Sequence, residues 1–260
     1  MRVWSLATAS SGLPTQGEAG FAACRAAGIA SVELDLFGGG RDPGTPDGLA
    51  AFAAEAAQAA ACGLTVWSVH LPFGGSWDIS APGNFAVEAL ASLLPAAAGW
   101  GARVAVVHGS AEPVRPEERA QRMERAASSL GLLAAAAREV DIQLALECLP
   151  RTCLGNRAAE AAALLQRVPG LRVCCDVNHL FHEAPADFIR ALGRHIVTLH
   201  LSDNDGRDER HWLPGRGTID WPAVLAVLSA VGYAGPFLFE VQPCPPADLA
   251  AAWARMRGTA

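Results

Sequence analysis

The chain has 260 residues and no lysine; all 20 of its basic side chains are arginine. Without an amine nucleophile, Schiff-base aldolase chemistry and lysine-bound pyridoxal phosphate are excluded. So is the phosphate loop that ends in Gly-Lys-Ser/Thr. Paired cysteines are lacking too. The seven present (Cys24, Cys62, Cys148, Cys153, Cys174, Cys175 and Cys244) are odd in number and form no CxxC, so they read as buried, reduced thiols. The adjacent Cys174 and Cys175 point to opposite faces of a strand and need not pair. No run long enough to span a membrane is free of glycine, proline or charge, which argues against a transmembrane helix. The opening MRVWSLATAS has one basic residue and too short an apolar region for a signal peptide, so a cytoplasmic location is expected. A net charge of −6 argues against a strong nucleic-acid footprint.

What is present is a large apolar supply: 51% of residues are hydrophobic, and alanine is abundant. Apolar strand-like runs alternate with Ala-rich helical segments from end to end. The strands read as Val3–Ala7, Ser31–Leu36, Thr65–His70, Arg103–His108, Gln143–Glu147, Arg172–Asp176, Ile196–His200 and Pro236–Glu240. The helices read as Glu18–Ala27, Leu49–Cys62, Phe85–Trp100, Pro116–Val140, Arg157–Val168, Ala186–Leu192, Pro222–Val231 and Ala247–Met256. Eight such pairs in this length predict an α/β fold, a single-domain (β/α)8 TIM barrel over residues 1–260. Strands that look apolar throughout fit a sheet covered on both faces. Gly28, Gly63, Gly101, Gly170, Gly193 and Gly232 each follow a helical segment, where a capping glycine belongs. The rival fold, an open doubly wound sheet, lacks a GxGxxG after the first strand.

In such barrels the chemistry sits at the C-terminal ends of the strands. Those ends carry Glu33, His70, His108, Glu147, Asp176 with His179, His200 and Glu240. Glu147 and Glu240 close the apolar runs LALE and FLFE, where a carboxylate is costly to bury unless it is paired or metal-bound. After His200 comes a loop too polar for a core, with Asp203, Asp205, Asp208, Glu209 and His211, closing on Pro214-Gly215-Arg216-Gly217. The three aspartates read as mostly a solvated loop. Trp212 is either a packing anchor or a face on which a sugar ring stacks, and Trp4, Phe73 and Trp77 carry the same two readings. His182 and His195 read as structural.

These residues resemble the sugar phosphate isomerase/epimerase family of xylose-isomerase-like TIM barrels, a group that includes ketose 3-epimerases, hydroxypyruvate isomerase, inosose dehydratase and endonuclease IV. The motifs are SVELDLF, SVHLPF, VVHGS, LALECLP, CCDVNHL, TLHLSDND, DERHWLPGRGTIDW and GYAGPFLFEV. The resemblance implies one divalent metal ion on Glu147, Asp176, His200 and Glu240, with Mn2+, Mg2+ or Co2+ favoured and Zn2+ admissible. It also implies substrate contacts from His179 and His211, the latter standing where the epimerases often carry arginine. His70, His108 and Trp212 are further candidates for substrate. Glu209 and His211 double as extra metal ligands, because the three-zinc site of endonuclease IV uses this loop. The implied reaction is isomerisation or epimerisation of a sugar or sugar phosphate through an enediolate, with Glu147 and Glu240 as acid/base pair. Arg151, Arg207 and Arg216 are candidates to receive a phosphate. The expected partner is a small sugar or polyol, with no nucleic acid or membrane, and a homodimer fits barrels of this kind. The alternatives are a dehydratase of the inosose or dehydroshikimate type, an endonuclease IV-like zinc phosphodiesterase, and a non-catalytic sugar-binding barrel.

Overall fold

A computed structural model describes residues 4–83 and 85–258. Eight strands run in chain order, β1 (Leu6–Ala9), β2 (Ile29–Asp35), β3 (Thr65–His70), β4 (Val104–Val107), β5 (Gln143–Glu147), β6 (Arg172–Asp176), β7 (Ile196–His200) and β8 (Phe237–Phe239). Each is followed by a helix: α1 (Glu18–Ala26), α2 (Pro46–Ala61), α3 (Phe85–Gly99), α4 (Pro116–Glu139), α5 (Ala158–Arg167), α6 (Pro185–Leu192), α7 (Trp221–Ala230) and α8 (Pro246–Gly258). The strands form one sheet in the order β7-β6-β5-β4-β3-β2-β1-β8. Every named pairing is parallel. The seam closes just past the ends of β7 and β8. There the Leu201 N–H donates to the Leu238 carbonyl at 3.0 Å and the Glu240 N–H to the Leu201 carbonyl at 3.3 Å. The fold is the (β/α)8 barrel.

Local chemistry explains the elements. The Thr45 side chain accepts from the Gly48 N–H at 3.1 Å and Pro46 takes the first turn, so α2 starts there. Its buried residues Phe52, Glu55, Ala56 and Ala59 follow helical spacing and face the sheet. Asp220 caps α7 by accepting from the Ala223 N–H at 3.0 Å. Along the strands the period of two decides which side chains enter the barrel. Val32, Leu34, Val69, Ala105, Val107, Leu144, Leu146, Val173, Cys175 and Leu199 join the main core. A smaller cluster, Val104, Val106, Ala145 and Cys174, is separate from it.

Three expectations need correction. The first strand was read over 3–7; Val3 lies outside the described residues, and β1 starts only at Leu6. The reason is Trp4, which is buried against Phe237 and Trp253 and donates its indole N–H to the Tyr233 carbonyl at 3.0 Å. The last strand shortens to Phe237–Phe239 because Pro236 has no N–H to give. Gly193 is no left-handed cap: it begins a short 3-10 turn, and a Cβ there would meet the Val231 side chain at 2.5 Å. Close packing, not backbone handedness, demands glycine at that position. Among the cysteines, all are free as expected; five are buried, while Cys62 and Cys244 are half-buried.

Candidate metal centre and active site

The strand ends bring Glu147, Asp176, His200 and Glu240 together. Each offers one ligand atom, and these atoms lie within 4.8 Å of one another. Asp176 and His200 are register partners on adjacent strands, which sets them side by side. Glu147 ends β5, next to β6, and Glu240 immediately follows β8. Glu147, Asp176 and His200 are buried, and Glu240 nearly so.

Imidazoles surround Glu147. Its Oε2 lies 3.0 Å from His70 Nε2 and 3.2 Å from His108 Nε2. Its Oε1 lies 3.2 Å from His179 Nδ1 and 3.5 Å from His200 Nδ1. Burial alone would raise its pKa, but the charge and hydrogen-bond contacts with His108, His200 and His179 outweigh burial and hold Glu147 well below the usual carboxylate range. Glu240 goes the other way. Burial, together with the charges of Asp176 and Glu147, outweighs the His200 cation and pushes it up to about 7. Burial lowers His70, yet its hydrogen bond and charge contact with Glu147 lift it to about 9.

His200 is oriented from below. Its Nε2 lies 2.9 Å from Glu33 Oε1, and Glu33 Oε2 accepts from the Ser68 hydroxyl at 2.6 Å. All three are fully buried. This leaves Nδ1 facing Glu147 and Glu240, the latter at 3.3 Å. Carboxylate–imidazole pairs of this kind set the tautomer of a metal-ligating histidine.

The donor set suits a divalent cation. Asp176 Oδ2, Glu240 Oε2 and both ring nitrogens of His200 are buried and make no hydrogen bond among the described residues. Buried polar atoms of this type ordinarily find partners. Three carboxylates and one imidazole make an oxygen-rich set of hard donors.

A second group, His179, Glu209 and His211, likewise brings one ligand atom of each residue within 4.8 Å of the others. His179 Nε2 lies 3.0 Å from Glu209 Oε2, whose pKa falls to about 2, chiefly through that hydrogen bond. His211 and Arg151 are left-handed at φ 48° and 47°, and both line the cavity over the metal cluster. Non-glycine residues held there carry strain, which is common at functional sites.

The cavity measures about 580 Å³ and gathers His70, His108, Glu147, His179, Glu209, His211 and Glu240. It does not include Trp212, which is held instead by paired backbone hydrogen bonds with Asp203, at 2.8 and 3.1 Å. The aromatic surfaces in the cavity are Phe37 and Phe73. Trp4 is core and Trp77 packs against the core. His182 sits outside the cavity, its Nε2 2.9 Å from the Arg151 carbonyl, and His195 lies before β7, beside Arg194.

The reading of Asp203 as solvated is wrong. It is fully buried and accepts from the N–H groups of Asn204 (3.0 Å), Gly215 (2.8 Å) and Ile219 (3.1 Å) and from the Trp221 indole (3.0 Å). It is the post on which the loop after β7 is wound. Asp205 and Asp208 are half-buried, as the solvated reading more nearly had it. Sequence reasoning also missed Asp35, buried and accepting from the Ser11 N–H at 2.7 Å. The signal was there: Asp35 stands two residues after Glu33 in SVELDLF, on the same face of the strand.

The profile of the xylose isomerase-like TIM barrel family matches residues 21–257, and the chain belongs to that family. The solved structure of a D-tagatose 3-epimerase-like protein superposes with a TM-score of 0.83 at 19% identity, covering 98% of this chain and 99% of that one. The 3-keto-D-glucoside 4-epimerase YcjR of E. coli superposes with a TM-score of 0.78, also at 19% identity, over 99% and 100% of the two chains. At such identity the likeness establishes the fold. An uncharacterised protein of Sinorhizobium fredii (strain NBRC 101917 / NGR234), y4fM, is 29% identical over 106 residues, which is 39% of this chain and 34% of that protein. The chain thus matches about a third of that curated relative's length.

Proposed function

We propose that the protein is a divalent-metal-dependent sugar isomerase or epimerase. The observation that carries this reading is the convergence of Glu147, Asp176, His200 and Glu240, whose ligand atoms lie within 4.8 Å of one another and of which Glu147 and Glu240 line the cavity. The fold shared with a 3-epimerase-like protein and a 4-epimerase supports it. Glu147, Asp176, His200 and Glu240 would hold Mn2+, Mg2+ or Co2+. When bound, such an ion supplies Lewis-acid polarisation of a substrate carbonyl and so acidifies the neighbouring C–H.

The chain's own groups do the rest. Glu147 and Glu240 stand on different strands and both reach the cavity, so one takes a proton from carbon and the other delivers one. Delivery to the opposite face of the same carbon inverts it; delivery to the next carbon moves the carbonyl. His70 and His108 hold Glu147 in place, with Nε2 of each 3.0 and 3.2 Å from its Oε2. His179 and His211 line the same cavity and offer ring N–H groups to substrate hydroxyls. Phe37 and Phe73 form one apolar wall of the cavity.

The test is proton NMR of a panel of ketoses and keto acids in D2O with Mg2+ or trace Mn2+, with and without chelator. Chelator-sensitive deuterium uptake at one carbon supports the reading, and the labelled position separates isomerisation from epimerisation. Loss of water from the product would replace it with a dehydratase. The cluster of His179, Glu209 and His211 favours one other reading, a polynuclear phosphodiesterase. Metal counting separates the two: one ion per chain supports the isomerase, and two or three zinc ions support the phosphodiesterase.

A further inference from the structure

Two cavities meet at the C-terminal mouth of the barrel. The first lies over the carboxylate–imidazole cluster. The second, about 670 Å³, lies between the start of α1, the loop after β2 and the first part of α2. Ser11 and Phe37 line both. The Phe37 ring is the shared wall, packed edge-on against His70 and Phe73 at 5.1 and 4.8 Å.

Charge accounting narrows what these cavities accept. The first is lined by four carboxylates, Glu112, Glu147, Glu209 and Glu240, and by one guanidinium, Arg151. Arg151 donates to Glu112 at 2.8 Å, to Asp208 at 2.8 Å and to Glu209 at 3.2 Å. A phosphate would have to strip this arginine from three carboxylates and then sit among their charges. Neither Arg207 nor Arg216 lines either cavity. In the second cavity the charged groups are Arg41 and Glu55, which are bonded to each other, with Arg41 also 4.2 Å over the Phe52 ring. Neither cavity offers an uncommitted guanidinium.

What the second cavity does offer is neutral hydrogen bonding. Gln58 presents a carboxamide, which carries both donors and acceptors. Gln16 commits its amide N–H groups to the Ser10 and Leu13 carbonyls, which leaves its oxygen as acceptor. Gly38, Gly39 and Gly40 are all left-handed, at φ 75°, 59° and 72°. A Cβ on Gly38 or Gly40 would meet nothing within 4 Å, so backbone conformation and not crowding requires glycine there. Gly38 and Gly39 therefore border the groove with bare backbone. Mixed donors and acceptors, balanced charge and one aromatic wall are the chemistry that recognises a polyhydroxylated ring.

Resting on the sugar-isomerase reading above, we infer that the substrate is an uncharged, unphosphorylated sugar carrying a second sugar unit. The reacting unit lies among Glu147, His179 and Glu240, and the second unit lies past Phe37, in the groove of Gln16, Gly38 and Gln58. The substrate class is a glycosylated ketose or keto-sugar.

The test uses three probes that differ at one oxygen: D-fructose, fructose 6-phosphate and isomaltulose, in which that oxygen bears a glucosyl unit. Affinities for the metal-loaded protein are read by saturation-transfer NMR and calorimetry, and turnover by deuterium uptake. Isomaltulose is expected to bind about tenfold more tightly than fructose, and fructose 6-phosphate at least about tenfold more weakly. Ala54, exposed on α2, lines the second cavity. Ala54→Trp fills it and is expected to bring the isomaltulose-to-fructose ratio to about one; Gln58→Ala is expected to reduce the ratio by a smaller factor. Tightest binding of fructose 6-phosphate would overturn the inference. So would equal or unmeasurable affinities, or a ratio that both variants leave unchanged. The two readings fail separately. Tight, Ala54→Trp-sensitive binding of isomaltulose without deuterium uptake on any probe removes the isomerase and keeps the groove. Deuterium uptake on fructose with no preference for isomaltulose removes the groove and keeps the isomerase.

Discussion

Glu33 shows how a single residue acts through another. Its carboxylate holds His200 Nε2 at 2.9 Å and takes the Ser68 hydroxyl on its other oxygen. Burial would raise its pKa, but the His200 cation outweighs burial and keeps Glu33 ionised. Glu33→Gln removes that charge while keeping the shape. It is expected to weaken divalent-metal affinity about tenfold to a hundredfold, read by calorimetry against a competing chelator. Unchanged affinity in the folded variant would show that Glu33 merely fills space. The site also has a pH signature. Glu240 sits at about 7 in the folded chain, above its ordinary value near 4.5. Its contribution to stability is therefore present below about 4.5 and is lost as pH rises through 7. His70, raised to about 9, contributes below its ordinary 6.5 and is lost as pH rises through 9. Glu147 and Glu209 are lowered, so their contributions are lost as pH falls below the usual carboxylate range. The metal-free protein is thus expected to be most stable near pH 5 to 6 and to melt progressively lower toward pH 9. Bound Mg2+, replacing the protons of Glu240, flattens that decline. A metal-free melting temperature that rises from pH 6 to 9 would refute the account.

At the scale of the element, the loop after β7 is organised by one buried carboxylate. Asp203→Ala leaves three backbone N–H groups and the Trp221 indole without their acceptor. Each buried donor so stranded costs roughly 1–3 kcal/mol, and partial rescue by water brings the expected total to about 3 kcal/mol. Urea unfolding measures it, and a loss under about 1 kcal/mol would mean that the loop is held by its own turns. Gly217 belongs to the same device, since a Cβ there would lie 2.0 Å from the Asn204 carbonyl oxygen. The strands were legible because their apolar runs and bounding glycines are local signals; β3, β5, β6 and β7 have the limits read from sequence. Their internal pattern was less so. Runs that look apolar throughout place Glu33, Ser68 and Thr198, all buried, at positions alternating with core residues. Small polar residues among valines and leucines do not announce which face they take. Asp203 was misread for a related reason, because three of its four donors, on Gly215, Ile219 and Trp221, lie 12 to 18 positions further along the chain.

At the scale of the whole molecule, the barrel is held by its apolar core and by the seam at Leu201, while the candidate metal ligands gather at one end of the strands. No helix of the described residues is long and apolar enough to cross a membrane. Chelation is therefore expected to abolish deuterium exchange into substrate while leaving the far-ultraviolet circular dichroism unchanged. Re-adding metal at 100 times its Kd is expected to add about 2.7 kcal/mol of stability and to raise the melting temperature by roughly 5–10 °C. Collapse of secondary structure on chelation would instead make the ion a structural one. The sequence by itself determined the fold class and the placement of acids and imidazoles at strand ends, because hydrophobic period and strand order are written locally. It also carried the exclusion of lysine chemistry and the residues of the main cluster. Only the tertiary structure decided that Glu33 holds His200, that Trp212 stands outside the cavity, and that Arg151 is consumed by three carboxylates. Those facts depend on distances between residues 39 to 167 positions apart in sequence, or on which way a side chain leaves a loop. Barrel closure alone sets them.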